Sequence, residues 1–163
     1  MDKYMFSLAS FDDIPEIVSI YNSLVGTPGC TWDYDYPSRK TAELDIKNRW
    51  LYVLRKNGHI IAVASAGEFN ENADLCWTPQ KPCELARIGV VSTMQKQGVG
   101  TILLKNIITA VKEKGYDGIT MLVSKTNPAA LALYEKNGFE RFGEVFRFQT
   151  EFYCYQMDFN LAK

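Results

Sequence analysis

The segment Gln95-Lys96-Gln97-Gly98-Val99-Gly100-Thr101 lies between an apolar, strand-like run, Leu85 to Val91, and an amphipathic, helix-like run, Ile102 to Lys114. Two glycines one residue apart let the main chain turn with no Cβ in the way. Successive N–H groups then converge at the positive end of the following helix, which is the construction of a phosphate cradle. Three such loops are known by their spacing. A Walker loop requires Gly-x4-Gly-Lys-Ser/Thr, but Gly100 is followed by Thr101 with no intervening lysine. A dinucleotide fingerprint requires a third glycine where Leu103 stands, and would sit early in the chain. The third form is Gln/Arg-x-x-Gly-x-Gly/Ala after a strand ending Val-x-x, and Val90 to Gly100 matches it position for position.

A second segment, Asn127-Pro128-Ala129-Ala130-Leu131-Ala132-Leu133-Tyr134-Glu135-Lys136-Asn137-Gly138-Phe139, reads as a short helix. Asn127 suits the N-cap, Pro128 the first helical position, and Gly138 the left-handed residue just past the end. At about 100° per residue, Asn127 and Tyr134 return to nearly the same face, so one groove can see both the amide and the phenol. Taken alone, an aromatic on a short apolar helix reads as core. Taken together, in this order and roughly thirty residues apart, the two segments resemble the GCN5-related N-acetyltransferase (GNAT) superfamily. Its pyrophosphate loop for acetyl-coenzyme A has the form of Gln95–Gly100, and its second motif has the form Asn-x-x-Ala-x-x-x-Tyr-x-x-x-Gly-Phe. Ser92 stands where many members carry proline.

The order of elements read along the chain is strand, helix, helix, hairpin, loop, strand, helix, strand, helix, strands. Met5–Ala9 forms the first strand, and Ser10 with Asp13 suits a capping box. Ile14, Ile17, Val18, Tyr21, Leu24 and Val25 fall at helical spacing. A second helix runs from Ser38 to about Trp50. Asn57-Gly58 is a hairpin turn between Leu51–Arg55 and Ile60–Ala66, which leaves His59 as an exposed turn residue. Leu103, Leu104, Ile107, Ile108 and Val111 make the buried stripe of the helix after the loop, and Gly115 stops it. Ile119–Val123 is a short strand, and the aromatic alternation from Phe146 to Met157 suits two closing strands. This order indicates an α+β (mixed α/β) fold in a single domain over 1–163. The resemblance sharpens it to a mostly antiparallel twisted sheet, flanked by helices, whose two central strands, Glu84–Val91 and Ile119–Ser124, splay apart to admit the pantetheine arm.

A chain of 163 residues with a net charge of −1 carries no global basic field for nucleic acid or an anionic membrane. Met1-Asp2-Lys3-Tyr4 opens directly into the first strand without a cationic leader, and no apolar run reaches the length of a membrane span; the expected location is the cytoplasm. Cys30, Cys76, Cys83 and Cys154 are scattered, with no Cys-x2-Cys pair, and read as free thiols; no metal site is expected.

Transfer of an acetyl group to an amine requires that the amine lose a proton and that the departing thiolate be given one. The resemblance implies that Tyr134, protonated at neutral pH, is the acid. It implies that Glu84, fourteen residues ahead of Gly98, is the base, with Glu68 as the reserve candidate. It also implies that acetyl-coenzyme A is held by Ile88, Val90, Gln95, Lys96, Gln97, Gly98, Val99, Gly100, Thr101, Asn127 and Tyr134, with the oxyanion facing a main-chain N–H near Val90. In this fold the connection between the first two helices commonly walls the acceptor site, so Trp32, Asp33 and Tyr34 are the candidates for holding a cationic amine. The long connection from Glu68 through Pro82 is a second wall. The implied acceptor is a primary amine of a small molecule or peptide. The alternative is a catalytically silent coenzyme A sensor of the same fold. Homodimers recur in the superfamily, and the aromatic tail is compatible with one.

Overall fold

The computed structural model describes residues 3–160; Met1 and Asp2 of the expected opening segment lie outside them. The chain builds one seven-stranded sheet in the order β1-β2-β3-β4-β5-β7-β6. The strands are β1 (Tyr4–Leu8), β2 (Leu51–Lys56), β3 (His59–Gly67), β4 (Pro82–Val90), β5 (Gly118–Ser124), β6 (Glu140–Arg147) and β7 (Thr150–Asp158), and the helices α1 (Ile14–Leu24), α2 (Arg39–Lys47), α3 (Val99–Glu113) and α4 (Pro128–Lys136). None of the helices described is long and apolar enough to cross a membrane.

Two apolar layers sandwich the sheet. Leu103, Leu104, Ile107 and Val111 of α3 pack with Leu85, Ile119, Met121 and Tyr155 on one face. On the other, Ile14, Ile17, Tyr21 and Leu24 of α1 and Ala42 and Ile46 of α2 pack with Leu51, Val53 and Val63. With both faces covered, β3 is buried at every position after His59, and His59 itself is exposed. The stripe on α1 also includes Ile20, while Val18 and Val25 are only half-buried. The Ser10–Asp13 box forms, with the Ser10 N–H donating to Asp13 Oδ2 at 2.9 Å, but it opens a short 3-10 turn ahead of α1. Helix α2 stops three residues before Trp50, because the chain turns through Arg49 at φ 59° into β2.

Every neighbouring pair of strands is antiparallel except β4 and β5. These run parallel and pair only at Pro82 with Gly118, Cys83 with Ile119 and Glu84 with Thr120. A bulge lies just beyond. Between the pairs Ser65–Ala86 and Val63–Gly89, two residues of β4, Arg87 and Ile88, stand opposite the single Ala64. Arg87 adopts φ 53° there. An extra residue bends a strand and increases its twist, so β4 turns away from β5 and a gap opens in the middle of the sheet. The gap leaves main-chain groups on facing edges without a ladder partner.

Candidate active site

The gap is the mouth of a cavity of about 650 Å³. Its walls are β4 from Leu85 to Val90 and β5 from Met121 to Ser124; the loop before α3, one face of α4 and the α1–α2 connection from Thr27 to Trp32 complete the lining.

The two glycines of the loop serve different purposes. Gly98 has φ 81°, and a Cβ there would meet open space, so the requirement is one of backbone conformation. It is the N-cap of α3 and supplies no side-chain cap, which leaves the first N–H groups of the helix free of intrahelical partners. Gly100 marks a close approach instead: a Cβ would lie 3.0 Å from the flexible end of Leu133, at Cδ2, where α3 meets α4. Gln95 and Gln97 brace the loop against itself, with Gln95 Nε2 donating to the Val90 carbonyl at 2.9 Å and Gln97 Nε2 to that of Thr93 at 3.0 Å. Gln95, Lys96, Gly98, Gly100 and Thr101 border the cavity, as do Ile88 and Val90. Gln97 does not, and the Val99 side chain is buried in the core, so those two can face a ligand only through main chain.

Helix α4 forms as its sequence dictates. Asn127 Oδ1 accepts from the Ala130 N–H at 3.2 Å, Pro128 occupies the first turn, and Gly138 has φ 90°. Asn127 and Tyr134 both border the cavity. The Tyr134 ring packs edge-on against Phe139, with centroids 5.8 Å apart. Burial pushes its phenol above the ordinary tyrosine range, so it holds its proton throughout the neutral region. Across the groove, a Cβ on Gly29 would come within 2.9 Å of the Asn127 side chain. The α1–α2 connection therefore rests on the start of α4 and straps the gap.

Acceptor-side candidates separate in the structure. Trp32 borders the cavity and packs edge-on against Tyr21 at 5.7 Å. Together with Leu24 it lies over Gly89, where a Cβ would be 2.7 Å from Leu24 Cδ1. Asp33 and Tyr34 are not among the bordering residues. Asp33 Oδ1 accepts from the Asp35 and Tyr36 N–H groups, each at 2.8 Å, and so shapes the loop. Tyr34 is 70% exposed. Glu68 accepts from the Tyr116 hydroxyl at 2.9 Å, away from the lining. Glu84 does not border the cavity either, but Ala86, two residues along the same face of β4, does. That spacing is about 7 Å, a distance a proton crosses through water rather than by direct contact. Burial raises the Glu84 carboxyl above the usual glutamate range, against a lowering hydrogen bond from Asn72.

Among the bordering residues absent from the candidates read in the sequence is a buried cation. Arg87, at the bulge, forks onto Asp45 of α2, with Nε 2.9 Å from Oδ2 and Nη2 3.0 Å from Oδ1, and donates through Nη1 to the Tyr36 hydroxyl at 2.9 Å. Its flat face covers the Phe69 ring at 4.4 Å, and Ser65 adds a hydrogen bond to Asp45 at 2.6 Å. Both side chains of the ion pair are almost fully buried, 6% and 2% exposed. The signal was a lone charge inside the apolar run Leu85–Val91: a buried charge needs a partner, and the sequence does not say where the partner is.

Known proteins share this fold. The L-methionine sulfoximine/L-methionine sulfone acetyltransferase of Pseudomonas aeruginosa is 27% identical over 147 residues, covering 84% of this chain and 80% of that protein. The ribosomal-protein-alanine N-acetyltransferase of Brucella melitensis has the same fold with a TM-score of 0.78 at 22% identity, covering 94% of this chain and 99% of that one. The yncA protein of Salmonella typhimurium, solved with its cofactor acetyl-CoA, superposes with a TM-score of 0.73 at 19% identity, over 98% of this chain and 95% of that one. The profile of the acetyltransferase (GNAT) family matches residues 17–139, a span holding the glycine loop, the β4–β5 gap and Tyr134, and the chain belongs to that family.

Proposed function

We propose that this N-acetyltransferase moves the acetyl group of acetyl-coenzyme A to a primary amine by direct attack in a ternary complex, within one domain spanning 1–163. The observation that carries this reading is a buried, protonated phenol, Tyr134, bordering the same groove as an uncapped helix N-terminus. The groove suits the co-substrate: the free N–H groups of α3 match a pyrophosphate, and the unpaired edge of β4 beyond Glu84 matches the amides of a pantetheine arm. Bound there, acetyl-coenzyme A supplies an activated acyl carbon and a sulfur leaving group.

The chain's own residues do the rest. A main-chain N–H near Val90 faces the carbonyl oxygen as charge develops on it. Glu84, ionised, draws one proton from the incoming ammonium through water. The amine nitrogen bonds to the acyl carbon, the carbon–sulfur bond breaks, the Tyr134 proton goes to sulfur, and the second proton of the nitrogen leaves through water, which returns a proton to the Tyr134 phenolate. Trp32 walls the acceptor side and offers a cationic amine its ring face. Asp33 shapes the loop that carries that wall, and Tyr34 lies exposed beside it on the same loop.

The test is release of free thiol from acetyl-coenzyme A over a panel of amines, with a no-acceptor control. Because the Pseudomonas relative is named for L-methionine sulfoximine and L-methionine sulfone, those two compounds head the panel, followed by polyamines, aminoglycosides and peptide N-termini. Acceptor-dependent release with one class supports the reading. Tight acetyl-coenzyme A binding with no release from any class contradicts it.

A further inference from the structure

Glu84 receives one side-chain hydrogen bond among the described residues, from Asn72 Nδ2 at 2.9 Å. Asn72 belongs to the β3–β4 connection and is 5% exposed. A carboxamide can be turned either way round, and here its other neighbour decides. Asn72 Oδ1 lies 2.5 Å from Arg147 Nη1, and a guanidinium has donors only, so the oxygen must face Arg147 and the NH2 group must face Glu84. Arg147 is itself fixed, by Nη1 to the Glu71 carbonyl at 3.0 Å and by Nη2 to Asp74 Oδ2 at 2.6 Å. The main chain of Asn72 is pinned as well, since its carbonyl accepts from Trp77 Nε1 at 2.8 Å and from the Leu75 N–H at 3.2 Å.

Arg147 is the last residue of β6, and β5 and β7 lie between β6 and β4 in the sheet. The hairpin that follows turns through Phe148 and Gln149 at φ 53° and 61°, with no glycine to ease the left-handed conformation. Non-glycine residues hold such angles only where surrounding contacts impose them, and strain of this kind gathers at functional sites. The turn delivers Arg147 to the β3–β4 connection, which carries the contact back over two strands to β4.

We propose that Arg147 and Asn72 form a positioning relay that holds the Glu84 carboxylate in place to draw the amine's proton. This rests on the reading of Glu84 as the base. Four groups act on the carboxylate electrostatically: Asn72 and the charges of Arg87 and Arg147 favour its ionised form, while Glu71 opposes it. Burial opposes it most. Removing the Asn72 donor leaves burial less resisted, so Glu84 should then lose its proton only at higher pH.

The deciding measurement is a carbon-13 NMR titration of the Glu84 carboxyl in the full chain, which needs no acceptor. Asn72→Leu should raise its midpoint by about one pH unit, a tenfold change in the ionisation constant. Arg147→Gln should raise it by less, and Arg147→Lys should return it to the wild-type position. The double variant Asn72→Leu/Arg147→Gln should shift by less than the sum of the two single variants, because part of the effect of Arg147 passes through the amide and only its charge acts directly. Fully additive shifts would mean that Arg147 acts on Glu84 by its charge alone, and unchanged midpoints in both single variants would mean that no relay exists; either result overturns the proposal. If Asn72→Leu fails to fold, Asn72→Ala takes its place in the same cycle with Arg147→Gln, with the same outcomes supporting or refuting the relay. The base reading fails separately, if Glu84→Gln retains the wild-type acid limb of kcat/KM.

Discussion

The two ends of the groove are held by interactions of opposite range. At the glycine loop, Gln95 reaches five residues back to Val90, Gln97 four residues back to Thr93, and Asn127 caps a helix three residues on. At the β4 bulge, Arg87 reaches Asp45 over 42 positions and Tyr36 over 51, and beside Glu84 Arg147 reaches Asn72 over 75. The first end is main chain shaped by local turns and caps. The second is a set of buried side-chain contacts that exist only once the sheet has formed.

The largest effect should come from the long-range side. Arg87→Ala strands Asp45 as a buried, unpaired carboxylate, a change that costs about 3–5 kcal/mol. Urea unfolding should show it directly, and a loss below about 1 kcal/mol would mean that the pair does not anchor α2 to the bulge. The local end should yield less. Gly98→Ala forces an L-residue to φ 81°, at about 1–2 kcal/mol, and should weaken acetyl-coenzyme A binding alongside stability. Gly100→Ala should change stability by less than about 0.5 kcal/mol, since crowding against the mobile end of Leu133 is offset by the helix preference for alanine. Equal losses at the two glycines would erase the distinction drawn between them. The smallest effect is a shift rather than a loss. Because burial raises the Glu84 carboxyl and the base acts ionised, kcat/KM should fall as pH drops through a value above the ordinary glutamate range of about 4.3. An acid limb at or below that value would remove Glu84 from the assignment.

The same contrast explains what could be read in the sequence. The Asn57-Gly58 turn, the start of α2 at Ser38 and the cap, proline and terminal glycine of α4 are decided by neighbouring residues, and all three take the forms expected of them. The strand–helix–strand order read along the chain already implies the parallel step from β4 to β5, whereas their divergence followed from the family resemblance rather than from pattern. The bulge at Arg87 was not legible, since nothing in Leu85–Val91 marks where an extra residue will stand opposite Ala64. Neither was the β6–β7 turn, where Phe148 and Gln149 take conformations that glycine or asparagine normally announces. Trp32 was picked for chemistry and does border the cavity, whereas Asp33 was picked on the same ground and serves its own loop. Residue type names an ability, and only tertiary contacts decide whether the cavity can use it.

The central claim is that Tyr134 is an acid in a working transferase and not merely an aromatic in its core. The measurement that tests it most directly sets Tyr134→Phe beside the wild type, with turnover read as thiol release and acetyl-coenzyme A affinity read by calorimetry. The account predicts that turnover falls about a hundredfold, near 2.7 kcal/mol in the barrier, while affinity stays within a factor of about three. Full turnover in the phenylalanine variant would contradict it.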